Sequence, residues 1–390
     1  MNVIQEGTIC LIKSAITGAA VVLPEQFSLE QSYEMAAKQG FIPLLYEGAI
    51  RCGVPKDGAL MQKMRLQTYK HMLISEQQMR EVARLLETFD QQGIDHMPVK
   101  GCNMKALYPK PELRSMGDAD ILIRQEQLPR CGEIMRSLGY KLSQESDHTD
   151  NWQSEKLYVE LHKSLVPKED GEYYAYYGSG WRIGVKGEAH RYDPTPEDTF
   201  VFLFTHFARH YRAGGIGCRH VADLYVYRNA HPQLDERYIR RELKKLHLDV
   251  FYGHILRLLQ VWFHRQETDE ITELITAVIF SGGSWGSLEA SLYARQMRVA
   301  REKGTSKGAS FRAVCDTLFP PLAILQSRYQ ILRRFPVLLP LMWVVRWFDV
   351  LLFSRRNLRR KMAFLRNAGE KELLTHQQTL NAVGLDFYAE

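Results

Sequence analysis

Apolar positions change their spacing twice along this chain. Up to about residue 95 they recur at helical intervals. Ser28 and Gln31 have the spacing of a capping box and predict a helix running through Ala37. The run Gly40-Phe41-Ile42-Pro43-Leu44-Leu45-Tyr46 breaks that helix and starts another. A long amphipathic pattern follows from about Gly58 to Phe89, with Met79, Val82, Leu86 and Phe89 on one face and Gly93 as its stop. This helix reads as a scaffold or a wall of the site, with packing alone the favoured reading. From His96 short apolar runs alternate with helical patterns, as in α/β units. Strands are expected at His96–Val99, Ala119–Ile123, Tyr140–Leu142, Trp152–Lys156 and Leu157–His162. Helices are expected at Asn103–Leu107 and Glu126–Leu138, the latter with Leu128, Cys131, Ile134, Met135 and Leu138 inward. From Pro194 the pattern is helical again: Thr195-Pro196-Glu197-Asp198 opens a helix, Phe200–Tyr211 is apolar nearly all round, and Arg219–Tyr227 starts the next after a Gly-rich loop. Further helices are expected to about Ala300, then a polar hinge at Gly304–Gly308.

These regimes predict an α+β protein with a small mixed-sheet core between helical regions. The expected division is an N-terminal helical region (1–95), a core (96–193), a helical domain (194–303) and a C-terminal helical segment with an apolar and basic stretch (304–390).

Met97–Ile123 holds the candidate chemistry. Asp118 and Asp120 open an apolar strand and, being two apart, point the same way. Like charges on one strand face call for a counter-ion, and a divalent cation is a common one. Glu160 is the best third acid: it sits inside an apolar strand, where a carboxylate is costly unless paired. Tyr158 and His162 share its face; His162 reads equally as a substrate contact or as a hydrogen-bonded structural histidine. Two metals held about 4 Å apart by shared carboxylates suit phosphoryl or nucleotidyl transfer. Lys100-Gly101 ends one strand and opens a helix, where backbone N–H groups and the helix N-terminus favour a phosphate. Lys100 and Arg114 are candidate triphosphate contacts.

Composition narrows the picture modestly. A net charge of +6 on 390 residues is compatible with an anionic ligand or a membrane surface and is no nucleic-acid signature. The six cysteines form no zinc spacing and read as reduced thiols of a cytoplasmic protein; the N-terminus shows no signal-peptide pattern. Phe335–Phe353 has the length of a membrane span, but Arg346 and Asp349 inside it would cost roughly 5–7 kcal/mol on insertion scales. With the cations Arg355, Arg356, Arg359, Arg360 and Lys361 behind it, residues 335–362 read either as an internal helix with a solvated basic face or as a peripheral contact with the inner membrane surface.

Lys100-Gly101, Tyr108-Pro109, Arg114, Asp118-Ala119-Asp120 and Val159-Glu160-Leu161-His162 together resemble the uncharacterised nucleotidyltransferase family, a bacterial branch of the DNA polymerase beta-type superfamily. FIPLLYEGAI before the core, FTHFARHYRAGGIGCRHVADL after it and a stretch near the C-terminus are also similar, so the likeness covers most of the chain. The resemblance implies transfer of NMP from an NTP, with ATP the expected nucleotide and two Mg2+ ions as cofactor. The acceptor is unidentified: a small molecule or sugar is expected, with tRNA or protein as variants. The wider superfamily usually has Gly-Ser where this chain has Lys100-Gly101 before Cys102.

The remaining candidates have plainer readings beside the sharp ones. Cys102 reads as a buried or capping thiol. His206 and His210, four apart on a helix, have zinc-like spacing but no HExxH motif or partner cysteine. Arg219 and Asp223 read as an intrahelical ion pair, or Arg219 reaches the nucleotide from the helical domain. His148 and Trp152 are placed at the cleft. A non-catalytic nucleotide-binding regulator and a membrane-peripheral assembly protein remain the alternatives to an enzyme.

Overall fold

A computed structural model describes residues 1–284, 319–322, 325, 329, 331–353 and 370–385. The expected hinge at Gly304–Gly308, the last part of the helical stretch expected to about Ala300, Cys315 and the basic run from Arg355 to Lys361 lie outside the described residues. The chain divides into two compact units. The first comprises residues 1–211, 215–286 and 383–385, the second residues 212–214, 287–382 and 386–390.

The first unit is α+β. Helices α1 (Val3–Thr17), α2 (Leu29–Gln39), α3 (Ile42–Arg51) and the 33-residue α4 (Ala59–Gln91) fill the N-terminal part. Asn2 closes a reciprocal capping box on α1, and Ser28 Oγ accepts the Gln31 N–H at 3.3 Å to start α2. α2 runs to Gln39, two residues past the expected end, and stops at Gly40 in the left-handed conformation (φ 72°), which glycine adopts at little cost. Five strands follow: β1 (His96–Val99), β2 (Ala119–Ile123), β3 (Lys141–Glu145), β4 (Thr149–Gln153) and β5 (Tyr158–His162). They form one mixed sheet in the order β1-β2-β5-β4-β3, in which only the central β2–β5 pair is parallel. The segment between β2 and β5 carries helix α6 (Leu128–Ser137) and the β3–β4 hairpin.

Alternation divides each central strand between two environments. Ala119, Ile121 and Ile123 of β2 and Val159 and Leu161 of β5 enter a core with Val82, Leu85 and Phe89 of α4 and Cys131, Ile134 and Met135 of α6. α4 is therefore the scaffold its pattern predicts: its inward stripe covers one sheet face. The opposite face of β2 and β5 carries Asp120, Glu160 and His162. Helices α8 (Pro196–Gly214) and α9 (Cys218–Ala230) supply the other wall of the cavity in front of those residues. Helix α7 (Gly171–Tyr177) follows β5, and α10 (Glu236–Lys245), α11 (Asp249–His264) and α12 (Glu270–Ser281) are further helices of the unit.

In the second unit the described residues include helices over Ile331–Arg334, Leu339–Phe353 and Glu370–Ala382. The rings of Phe319 and Trp343 meet edge to face at 5.2 Å, and the Trp343 indole N–H donates to the Pro320 carbonyl at 2.9 Å. Val337, Leu341 and Phe348 are exposed. Among the described residues no helix is long and apolar enough to cross a membrane.

Candidate functional site

A cavity of about 530 Å³ lies between the polar face of β2 and β5 and helices α8 and α9. All seven residues singled out from sequence as site residues line it: Lys100, Gly101, Arg114, Asp118, Asp120, Glu160 and Arg219. They come together because β2 and β5 pair in parallel with Asp120 directly opposite Glu160. Residues opposite each other in a ladder project to the same side, so two strands whose acids are forty positions apart present one cluster.

Asp120 is the most constrained of the acids. Its Oδ1 accepts from the Lys100 ammonium at 2.7 Å and faces His162 Nε2 at 2.8 Å. Burial alone would raise its pKa, but the Lys100 charge and the His162 hydrogen bond outweigh burial and hold the carboxyl well below the usual range. Asp118 goes the other way: burial, then the negative charges of Asp120 and Glu160, push it up to about 6. One acid has its countercharge and its neighbour lacks one. Asp120, Glu160 and His162 can each turn a ligand atom inward so that all three atoms lie within 4.8 Å of one another. Two carboxylates and an imidazole, with a third carboxyl at the same cavity wall, form a donor set that fits a divalent cation.

Lys100 reaches Asp120 through an unusual backbone. Its φ of 50° and ψ of −115° lie where an L-residue is rarely found, a conformation that costs about 1–3 kcal/mol. The Lys100 carbonyl accepts the N–H groups of Asn103 and Met104, and the Asn103 side-chain amide donates to the Pro98 carbonyl at 2.9 Å, so the turn is tied on both sides. The helix that Gly101 opens, α5 (Gly101–Met104), has only four residues, so the anion-attracting dipole expected of it is slight. The turn's value is close approach: a Cβ at Gly101 would meet Met116 Cγ at 3.2 Å and Arg114 Nη1 at 3.3 Å. Cys102 is buried with its Sγ 3.9 Å from the Asp120 carbonyl. Burial, reinforced by the Asp120 charge, pushes the thiol up to about 12, so it stays protonated and is no nucleophile.

Arg114 is committed in part. Its Nε and Nη2 donate to Asp223 Oδ1 and Oδ2 at 2.8 and 3.0 Å, and the Tyr108 hydroxyl donates to the same Oδ1 at 2.8 Å. The buried Lys105 ammonium donates to the Arg114 carbonyl at 2.9 Å. This fork fixes the guanidinium plane and leaves Nη1 on the Gly101 side. Arg219 Nη1 lies 3.9 Å from Asp223 Oδ2 and 3.4 Å from the Ser115 carbonyl. The i,i+4 pair expected between Arg219 and Asp223 is thus the looser contact, because Arg114 takes the carboxylate from 109 positions away. The buried guanidinium of Arg114 and the half-buried one of Arg219 share one carboxylate, and the surplus positive charge faces the cavity. Burial and the Arg114 charge lower the Arg219 pKa accordingly.

Several lining residues were missed or underweighted by sequence. Asp223 was read as a local pair, and Arg209, on the cavity wall, holds Asp170 at 2.5 Å. His206, His210 and His220 line the same wall. Burial, with nearby cations, drives His210 down to about 3 and His206 and His220 well below the ordinary imidazole value, so all three are neutral. The rings of His206 and His210 lie 4.3 Å apart, yet among the described residues neither joins a three-ligand group. No sequence signal separates His206 and His210 from core positions, since α8 reads as apolar nearly all round. His148 lines the cavity as expected. Trp152 does not: it lies in the core on the opposite sheet face, 3.6 Å from where a Gly132 Cβ would sit.

Comparison with curated proteins and with solved structures returns no match. The family model described as "Uncharacterised nucleotidyltransferase" matches residues 25–264, which contain every residue of the acid cluster and both helices of the opposite wall. With well over half of the chain matched, from α2 through α11, the protein belongs to the uncharacterised nucleotidyltransferase family.

Proposed function

We propose that the protein transfers NMP from an NTP to a hydroxyl of a small acceptor, with divalent cations held by Asp118, Asp120 and Glu160. The observation that carries this reading is the register of β2 against β5, which sets Asp120 beside Glu160 opposite a wall bearing Arg114 and Arg219. A divalent ion at the acids supplies charge neutralisation on the phosphates and alignment of the attacking oxygen. The chain's own residues do the rest. Lys100, the Gly101 backbone, the Nη1 side of Arg114 and Arg219 hold the triphosphate. The acceptor oxygen attacks the α-phosphorus, the bond to the bridging oxygen breaks, and pyrophosphate leaves. Glu160, the most accessible carboxylate of the tight group, takes the hydroxyl proton.

The test is incubation with each of four α-labelled NTPs, Mg2+ and a cell extract. Label is expected to move to an acceptor with wild-type protein and to stay on the nucleotide with Asp118→Ala or Asp120→Ala, a loss of at least about a hundredfold. Size and nuclease or protease sensitivity of the labelled product separate a small acceptor from tRNA or protein. Nucleotide binding with no transfer from any NTP would replace this reading with a non-catalytic regulator.

A further inference from the structure

We infer that His162 is a metal ligand through Nε2, and that the centre it forms with Asp120 and Glu160 takes Mn2+ in preference to Mg2+. The presence of an ion rests on the nucleotide-transfer reading; the role of His162 rests on its own geometry. Neighbouring ligand atoms around a six-coordinate ion with bonds of about 2.1 Å lie about 3 Å apart. His162 Nε2 lies 2.8 Å from Asp120 Oδ1 and 3.5 Å from Glu160 Oε2, on either side of that value. Strand alternation places Glu160 and His162 on one face, and the ladder places Asp120 beside Glu160, so the backbone already presents all three.

The ring is almost fully buried, at 2% exposure, and among the described residues its Nδ1 has no hydrogen-bond partner. Its polar anchoring therefore comes through Nε2 alone, from whatever sits among the carboxylates. His148 packs on it edge to face at 4.9 Å, which limits tilting without supplying a polar anchor. A purely structural imidazolium would duplicate Lys100, whose ammonium already sits 2.7 Å from the same Oδ1. Imidazole is a good ligand for first-row transition ions. Mg2+ prefers an all-oxygen shell and gives up its waters reluctantly. One nitrogen among oxygens therefore shifts the centre toward Mn2+.

Pulsed EPR of the full chain loaded with Mn2+ tests this directly. Wild-type protein is expected to show nitrogen modulation that changes to the 15N pattern when the protein carries 15N-histidine. His148→Asn should keep the modulation, and His162→Asn should remove it. Mn2+ affinity, followed by the free-ion signal, should fall about ten- to a hundredfold in His162→Asn, while Mg2+ affinity by competition changes less than about threefold. If His162→Asn does not fold by circular dichroism, His162→Gln takes its place. Wild-type protein without nitrogen modulation overturns the inference, as does modulation that survives loss of His162 or equal loss of both ions. Failure here is separable from failure of the transfer reading. Label transfer from an NTP by a protein whose bound Mn2+ shows no nitrogen modulation sinks the ligand role alone. Nitrogen coupling that depends on His162, with no transfer from any NTP, sinks the transfer reading alone.

Discussion

At the scale of single residues, Asp223 decides how the cationic wall is arranged. It accepts from both Arg114 and Tyr108, all three of them buried, and lies near the half-buried Arg219. Removing one partner of a buried charge group costs about 3–5 kcal/mol, because the charge left behind has no solvent to compensate it. The partners are unequal. Asp223→Ala strands two guanidiniums and a hydroxyl, whereas Arg114→Met leaves Asp223 with Tyr108 and Arg219. The expected order of stability is therefore wild type, then Arg114→Met, then Asp223→Ala, with the last lower by about 4 kcal/mol. Arg114→Met combined with Asp223→Leu should recover part of that loss. Urea midpoints on the four proteins check the order; equal costs for the two single changes would remove Asp223 as the hub. Sequence showed half of this. Arg219 and Asp223 are visible as a helical pair, but the tighter partner is 109 residues upstream, and no local spacing reports a contact of that separation.

At the scale of elements, the α1–α3 crossing sets two known effects against each other. Gly48 lies inside α3, where replacing glycine by alanine should stabilise the helix by about 1 kcal/mol. A Cβ at Gly48 would, however, fall on the Leu11 backbone of α1. A backbone carbonyl cannot swing aside as a side chain can, and overpacking typically costs about 1–3 kcal/mol or more. The steric effect should win: Gly48→Ala lowers the unfolding free energy by about 2 kcal/mol net, read from denaturant melts. A raised midpoint would mean the two helices do not approach this closely. The legibility of elements follows their burial. β2 and β5 were readable because their apolar runs pack on α4 and α6, and β1 because all four of its residues are buried. β3 and β4 were misplaced, expected at 140–142 and 152–156 and found at Lys141–Glu145 and Thr149–Gln153. β3 is an edge strand of the sheet and is mostly exposed, so its last residues, Ser143-Gln144-Glu145, carry no alternation to read. The acid cluster was legible as two separate strand faces, and only the β2–β5 register made it one site.

At the scale of the whole first unit, Gln39 ties together three segments far apart in sequence. Its amide nitrogen donates to the Ile279 carbonyl at 2.9 Å and the Gly282 carbonyl at 3.0 Å, at the end of α12. Its amide oxygen accepts the Cys218 N–H at 2.8 Å, at the start of α9. The side chain is 1% exposed, so each of these backbone groups depends on it. Nothing in the sequence distinguishes Gln39 from a polar residue at a helix end. Leaving a buried backbone group unpaired costs about 1–3 kcal/mol, and Gln39→Ala strands three, so a loss of at least about 3 kcal/mol is expected in thermal or urea unfolding. The consequence should reach the site, because the residue after Cys218 is Arg219. Loosening the first turn of α9 moves that guanidinium without touching Lys100, Asp120 or Glu160. For the proposed reaction, KM for the NTP should rise by about tenfold in Gln39→Ala while kcat changes less, since triphosphate binding weakens and the acids stay in register. Gln39→Glu provides the sharper variant: its carboxylate still accepts the Cys218 N–H but turns an acceptor toward two carbonyl oxygens. It should destabilise the fold as Gln39→Ala does and yet disturb KM less, because the α9 end of the tie survives. Equal KM effects in the two variants, or instability with unchanged KM in both, would show that Gln39 holds the fold without setting the position of Arg219.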